Sequence, residues 1–365
     1  MLATTLPAPT HAPGPDVLPQ WFRRVVIDPA VVLLGGFAIL SLPLILVVGL
    51  VLTPLIPGRW RPLRFLWFAV LYLLMQSGLL VVLFMAWLAT GFGWKMQAPW
   101  SQRVHYLLLG FALRVLEHEA NRVLNVTIES TGALPDEFHG RPLLVLSRHA
   151  GAGDSFLLVD LLVNWYDREP RIVLKAALQW DPVIDVILNR LPTVFVDNNP
   201  DVDRIALITR LAANLDNDDA FTIFPEGGNF TAGRRLRSIS WLQHEGRTRR
   251  AASAERMRHV IAPRQAGAAA ALGAAPDADV AIVAHTGLEH LNSMKAIWRY
   301  MPMDTTIKVH WWRVPADEAP REPDEVGDWL FGWWGLVDSW IEANRPLIVD
   351  DALADPTTRT DPIAP

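Results

Sequence analysis

Two long apolar segments without a single charged residue lie within the first hundred positions. One runs from Pro29 to Gly58, between Asp28 and Arg59, and the other from Phe65 to Trp94, between Arg64 and Lys95. Each exceeds the ~20 residues that cross a hydrocarbon layer. Neither shows the polar face expected of a long helix in a soluble core, so two membrane helices are predicted. Trp21, Trp60, Trp94 and Trp100 flank the segments, where an indole keeps its ring among headgroups and its N–H hydrated. The connecting loop Gly58–Arg64 is short, which makes the pair a hairpin over residues 29–94 with both chain ends on one side. Its arginines Arg59, Arg61 and Arg64 are nearly balanced by Arg23, Arg24, Lys95 and Arg103 on the other side, so charge does not set the orientation. A hairpin dipping into one leaflet would account for that balance, and Pro43, Pro54, Pro57 and Gly78 suit bent or re-entrant helices. Residues 1–28 are rich in Pro and Ala and have no basic start before a short apolar core. They read as a flexible leader and not as a cleaved signal peptide.

From Ser101 the texture changes. A long helical stretch, Ser101–Asn125, precedes short β-branched runs at Leu143–Ser147, Ile172–Lys175, Thr193–Val196, Phe221–Phe224, Val280–Ala284 and Thr306–Trp311, separated by helical patterns. Alternation of this kind predicts an α/β domain on a mostly parallel sheet with flanking helices, spanning 101–345. Residues 314–328 are acidic and Pro-containing, a linker by composition. Val326, Trp329, Leu330, Trp333, Trp334, Val337, Trp340 and Ile341 then recur at helical spacing and define one apolar face. Docking on the sheet is the simpler use of that face and membrane contact the other. The tail 350–365 is expected to be disordered, and no internal repeat is visible.

Composition narrows the function classes. Hydrophobic residues make up 51% and charged residues 19% of the 365, which excludes a mainly disordered chain. A formal net charge of −5 gives no reason to expect nucleic acid as a partner. With no cysteine, disulfides, thiolate metal sites and a Cys nucleophile are excluded together.

The richest stretch for chemistry is 143–156, a buried-type strand that breaks into a small-residue turn and continues as the helix Ser155–Trp165. His149 and Asp154 stand five apart across that turn, where a carboxylate can fold back onto an imidazole. Asp154 would then fix the tautomer and leave the other ring nitrogen as a general base toward a hydroxyl. Asp154 as a helix cap beside an ordinary turn histidine is the plainer alternative. Gly151 and Gly153 allow close approach to backbone N–H groups that could hold an oxyanion. A second motif, Phe224-Pro-Glu-Gly-Gly-Asn-Phe-Thr231, follows another strand and exposes Glu226 at a carboxyl edge, where ligands of α/β sheets bind. His285, Glu289 and His290 fit no common metal spacing, so no metal is expected. Gly151 and Gly153 lack the third glycine of a dinucleotide turn, since Phe156 stands there. No Gly-x-Ser-x-Gly elbow is present.

The two motifs, in this order and 77 residues apart from His149 to Glu226, resemble the glycerolipid acyltransferase family, whose members carry NHxxxxD and FPEGTRS blocks. Lys175 at a strand end, Leu191–Asn198 (similar to GxxFIDR), His259–Arg264 and Val283–Gly287 extend the resemblance over roughly 100–345. It implies a membrane-bound acyltransferase with its catalytic domain on the cytoplasmic face. His149 and Asp154 would be catalytic, Glu226 and Gly227 would shape the acceptor site, and Lys175, Arg264 and Arg204 would be anion contacts. The implied donor is acyl-CoA or acyl carrier protein, the acceptor a lysophospholipid among membrane lipids, and no cofactor is needed. Asn229 and Asn198 replace the arginines that the family associates with the acceptor phosphate, and Asn cannot act as a bidentate cation. Phosphatidate synthesis from 1-acylglycerol 3-phosphate is the default expectation, with another lysophospholipid or a glycolipid as the close alternative. A nucleotide-binding membrane protein and a non-catalytic adaptor are the readings from other classes. Between Arg234 and Arg264 nine arginines face two glutamates, which predicts a basic surface.

Overall fold

The computed structural model describes residues 17–56, 60–138, 140–196, 203–289 and 294–346. The predicted leader lies largely outside them, and the predicted tail wholly so. Two apolar helices open the chain, α1 (Gln20–Leu52) and α2 (Arg61–Ala89). They pack so closely that a Cβ on Gly35 would stand 2.0 Å from Ser77 Oγ. Ser77 Oγ in turn donates to Val31 O at 2.9 Å. Between the helices Trp60 takes a left-handed conformation and Pro62 starts the new helix, where its missing N–H costs nothing. Val31 and Val32 of α1 pack inward, but much of its apolar surface faces outward: Leu33, Phe37, Leu40, Leu44 and Val47 are all more than half exposed. Their exposure weighs toward a lipid environment for this element.

Helix α3 (Pro99–Leu124) begins with Pro and ends on Asn125 in the left-handed region, a cap Asn tolerates better than most residues. The remaining elements are β1 (Val126–Gly132), β2 (Leu143–Ser147), α4 (Ala152–Asp160), β3 (Glu169–Lys175), α5 (Pro182–Leu188), β4 (Val194–Val196) and α6 (Arg204–Ala212). After them come β5 (Asp219–Ile223), α7 (Ala232–His244), α8 (Thr248–Arg256), α9 (Gln265–Ala274), β6 (Asp279–Thr286), α10 (Met294–Tyr300), β7 (Thr305–Val314) and α11 (Pro323–Asn344). Among the described residues the sheet has seven strands in the order β1-β7-β6-β2-β5-β3-β4, and every neighbouring pair is parallel except β6 with β7.

Several boundaries differ from the sequence reading, and α1 already begins at Gln20, inside the expected leader 1–28, where buried Arg23 is held by Asp185. Strand β1 was not expected, because Val126-Thr-Ile-Glu-Ser-Thr-Gly is an edge strand with only Val126 and Ile128 turned to the core. The helix after the His149 turn starts at Ala152 and not at Ser155, which moves Asp154 into its first turn. The linker ends at Glu322, since Pro323 already begins α11.

Alternation along β2 divides the core. Leu144 and Leu146 face one layer with α6 to α9 and α11, while Leu143 and Val145 face the other with α4 and Trp311. The tryptophan-rich helix docks on the first layer: Val326, Leu330, Trp334, Val337 and Ile341 are buried against the sheet, with Trp329, Trp333 and Trp340 half-covered at its margin. The hairpin joins a third cluster with α3 and α5, formed around Leu79, Leu83, Tyr106 and Ile187.

Polar contacts tie both ends of the hairpin to this α/β body. At its base, buried Arg23 meets Asp185 of α5 through two bonds of 3.0 and 2.9 Å, and midway along α2 Gln76 Nε2 donates to Asp181 at 2.7 Å. Near its tip, Arg61 Nε donates to Met301 O at 3.0 Å, Arg64 donates to Val123 O at 2.7 Å and Phe65 meets the Trp298 ring edge-on at 5.3 Å. The hairpin thus lies along the body and does not project away from it.

Candidate active site

Because β5 and β6 flank β2 in parallel, the segments leaving these three strands converge at one sheet edge. His149 follows β2, Glu226 follows β5 and His285 is the next-to-last residue of β6. Asp154, in the first turn of α4, reaches back: its oxygens lie 3.1 and 3.2 Å from His149 Nδ1. One of them also accepts the N–H groups of Ala150 at 2.5 Å and Gly151 at 2.9 Å. These bonds fix the turn and assign the imidazole proton to Nδ1, which leaves Nε2 as the basic nitrogen. Burial alone would raise the Asp154 carboxyl, but the hydrogen bond to His149 and the neighbouring His285 and His149 hold it below its ordinary value. The His149 ring lies over Phe224, 4.4 Å between centroids, with its side chain 14% exposed. The imidazole is thus partly open to solvent while its carboxylate partner is buried.

Gly151 was expected to offer its N–H to an oxyanion, but that N–H is spent on Asp154. Gly153, one residue before Asp154, sits in the first turn of α4, where backbone N–H groups have no partner within the helix.

Beneath the dyad lies a charge cluster that sequence reasoning missed. Glu226 is 2% exposed, and its two oxygens accept His149 N at 3.0 Å and Ile261 N at 2.9 Å. Phe230 N donates to His149 O at 2.7 Å, so the Glu226 loop holds the backbone of His149 from both sides. Both oxygens of Glu226 are thus engaged with backbone, and its side chain is not exposed at the sheet edge as the motif suggests. Burial lifts its carboxyl to about 7, against the pull of Arg148. Arg148, 1% exposed, donates to His285 O and Glu289 Oε1, both at 2.6 Å, and to His259 O at 3.0 Å. His285 Nε2 stands 3.1 Å from Arg148 O, and burial lowers its pKa. His290, which completed the metal alternative, lies outside the described residues, and the structure uses His285 and Glu289 as partners of Arg148.

Burial opposes ionisation of Glu289, but Arg148 holds its carboxyl down to about 2 from 4.5. A depressed carboxyl stabilises the fold above its unfolded value, and that contribution is lost as pH falls through its folded value. Wild type is therefore expected to exceed Glu289→Gln in stability at about pH 6 and to lose most of that margin by about pH 2. Denaturant unfolding in detergent across this range checks it; a margin that does not shrink with acid would contradict the ion-pair account.

Arg148, His149, Asp154, Glu226 and His259 lie within a stretch, 125–284, that matches the family model described as Acyltransferase, and His285 and Glu289 follow just after it. Residues 125–284 thus carry an acyltransferase domain. No curated protein matches it. Among solved structures it is similar to PlsC, the 1-acyl-sn-glycerophosphate (LPA) acyltransferase from Thermotoga maritima, at 12% identity, covering 88% of this chain and 98% of that one, with a TM-score of 0.45.

Around the dyad of this acyltransferase the expected anion contacts divide. Arg264 is exposed and lies directly over Gly227, whose added Cβ would meet its Cζ at 3.2 Å, and its backbone N–H anchors to Pro225 O at 2.8 Å. Gly227 has φ +69°, a conformation that side chains disfavour. Gly227→Ala is expected to cost about 1 kcal/mol or more in unfolding free energy and to displace Arg264; an unchanged unfolding midpoint would contradict this. Asn229 is half-buried, and its carbonyl accepts Arg234 Nη1 at 3.0 Å, which brings a guanidinium to the loop that its side chain cannot supply. Lys175 is exposed at the carboxyl end of β3, on the same sheet edge as His149. Arg204 is exposed in the first turn of α6. Asn198 lies outside the described residues.

Proposed function

We propose that this acyltransferase moves an acyl chain from an acyl thioester, acyl-CoA or acyl carrier protein, to the free hydroxyl of 1-acylglycerol 3-phosphate, giving phosphatidate. The observation that supports the reading best is the partly exposed His149 imidazole, oriented by buried Asp154. Nε2 takes the proton of the acceptor hydroxyl as its oxygen attacks the thioester carbonyl, and Asp154 stabilises the imidazolium that forms. As the tetrahedral intermediate collapses, the C–S bond breaks and the leaving sulfur receives that proton. No acyl-enzyme and no metal enter the step.

For the acceptor, Arg264 above Gly227 supplies a cation at the loop where Asn229 does not, and it suits a phosphate. The neutral Asn229 side chain favours a second reading, another lysophospholipid or a glycolipid. Thiol release from palmitoyl-CoA, measured on the detergent-purified protein against lysophosphatidate, lysophosphatidylglycerol, lysophosphatidylcholine and a glycolipid, separates the two. The proposal expects lysophosphatidate to be preferred and Arg264→Ala to raise its KM. Preference for a sugar or phosphodiester acceptor would install the second reading.

The hairpin is proposed to rest in one leaflet, in line with its contacts to the body at base and tip. The chain has no cysteine, so single-cysteine variants report cleanly. Trp60→Cys at the tip and Glu322→Cys on the α/β body should be labelled from the same side of a sealed membrane, whereas labelling from opposite faces would mean a spanning hairpin.

A further inference from the structure

On the face of the sheet away from the hairpin, α8 and α11 diverge around a cavity of about 480 Å³. It exists because α11 turns Gly332 and Gly335 toward it: a Cβ on Gly332 would meet nothing within 4 Å, and one on Gly335 only Met257 Cε at 3.9 Å. The opposite wall is one face of α8, with Arg249, Arg250, Ser253, Arg256 and Met257. Two carboxylates also line the space, and both are engaged. Asp328 pairs with Arg250 at 3.0 Å, and Asp338 accepts His259 N at 2.6 Å. Arg250 is further fixed over the Phe331 ring, 5.8 Å from its centroid. Arg249 and Arg256 are exposed and form no ion pair among the described residues; Arg256 only donates to Ser253 Oγ at 3.1 Å. Two uncompensated guanidinium forks at a roomy, hydroxyl-lined cavity match the geometry of phosphate oxygens.

We propose that this cavity is a binding site for the phosphate groups of a soluble, nucleotide-sized ligand. A bilayer headgroup does not fit the position, because the lipid-facing helices α1 and α2 pack with α3 and α5, apart from the layer that holds α8 and α11. The site is also linked to the dyad. Asp338 holds His259 N, His259 O accepts Arg148 Nη2 at 3.0 Å, and Arg148 precedes His149. Two sources have this chemistry: the phosphorylated nucleotide end of a coenzyme A donor, a source that rests on the function proposed above, and a free phosphorylated small molecule.

Calorimetric titration of the detergent-purified full chain with adenosine 3′,5′-bisphosphate and with pyrophosphate tests the site without any turnover. Wild type is expected to bind, and two variants to weaken binding by about tenfold or more. The first, Arg249→Ala/Arg256→Ala, removes the charge, and the second, Gly332→Leu, fills the cavity and keeps every cation. Their unfolding midpoints show that the fold is intact. If the KM for palmitoyl-CoA rises in the same variants, the donor is the source; if binding is lost with that KM unchanged, a separate phosphorylated molecule is. Either result supports a phosphate site. Failure of wild type to bind both probes, or equal affinity in wild type and both variants, overturns it, whatever the outcome of the acyltransfer assays.

Discussion

Replacing His149 by alanine is expected to slow acyl transfer by roughly 10²- to 10⁴-fold, the range that a positioned general base contributes. The side chain is partly open and, among the described residues, makes its polar contacts through Nδ1, while its backbone stays clamped by Glu226 and Phe230. The variant should therefore unfold within about 1 kcal/mol of wild type, so the loss reads as chemistry. Asp154→Ala is a different perturbation. It removes the orienting carboxylate and also strips Ala150 and Gly151 of their acceptor, so activity and stability should fall together. Steady-state rates beside thermal unfolding of the two variants check this. A His149→Ala protein that retains a tenth of wild-type activity contradicts the assigned base.

Arg148→Ala is expected to give the largest loss of stability, about 3–5 kcal/mol, because it leaves buried carboxylates without their cation. Glu289 loses a 2.6 Å ion pair, Glu226 loses the charge that opposes its burial, and the carbonyls of His285 and His259 lose a donor. At about 2–4 °C per kcal/mol for a domain of this size, the unfolding midpoint should drop by roughly 10 °C. Arg148→Ala with Glu289→Gln should recover part of the loss, since the double change removes one stranded charge. A single variant that melts within about 2 °C of wild type would show that the cluster does not hold the loop.

The dyad was legible because strand-to-helix turns bring residues five apart together, and the small residues around His149 leave little else to fill the turn. The hairpin was legible for a similar reason, in that charge-free runs of such length have few uses. The support beneath the site was not legible. Arg148 stands where the family pattern has a neutral Asn, and nothing local shows that its partners are Glu289 and His259, each more than a hundred residues away. Glu226 looked like a ligand contact because its motif exposes a strand end, and only the tertiary packing of Ile261 and Trp334 around that end puts it out of reach of solvent. Strand β1 escaped for the reason that edge strands often do, having polar side chains on the outer face and few apolar ones to signal the period. Docking of the tryptophan helix on the sheet followed from its apolar face, whereas the two glycines that open a cavity beside it carry no such signal.

The most direct measurement mixes the purified protein with palmitoyl-CoA and 1-acylglycerol 3-phosphate and follows free thiol and phosphatidate together, for wild type and for His149→Ala. The account predicts that the two products appear in equal amounts with wild type and that both fall together in the variant. Thiol release without phosphatidate, or phosphatidate formed at the wild-type rate without His149, would contradict it.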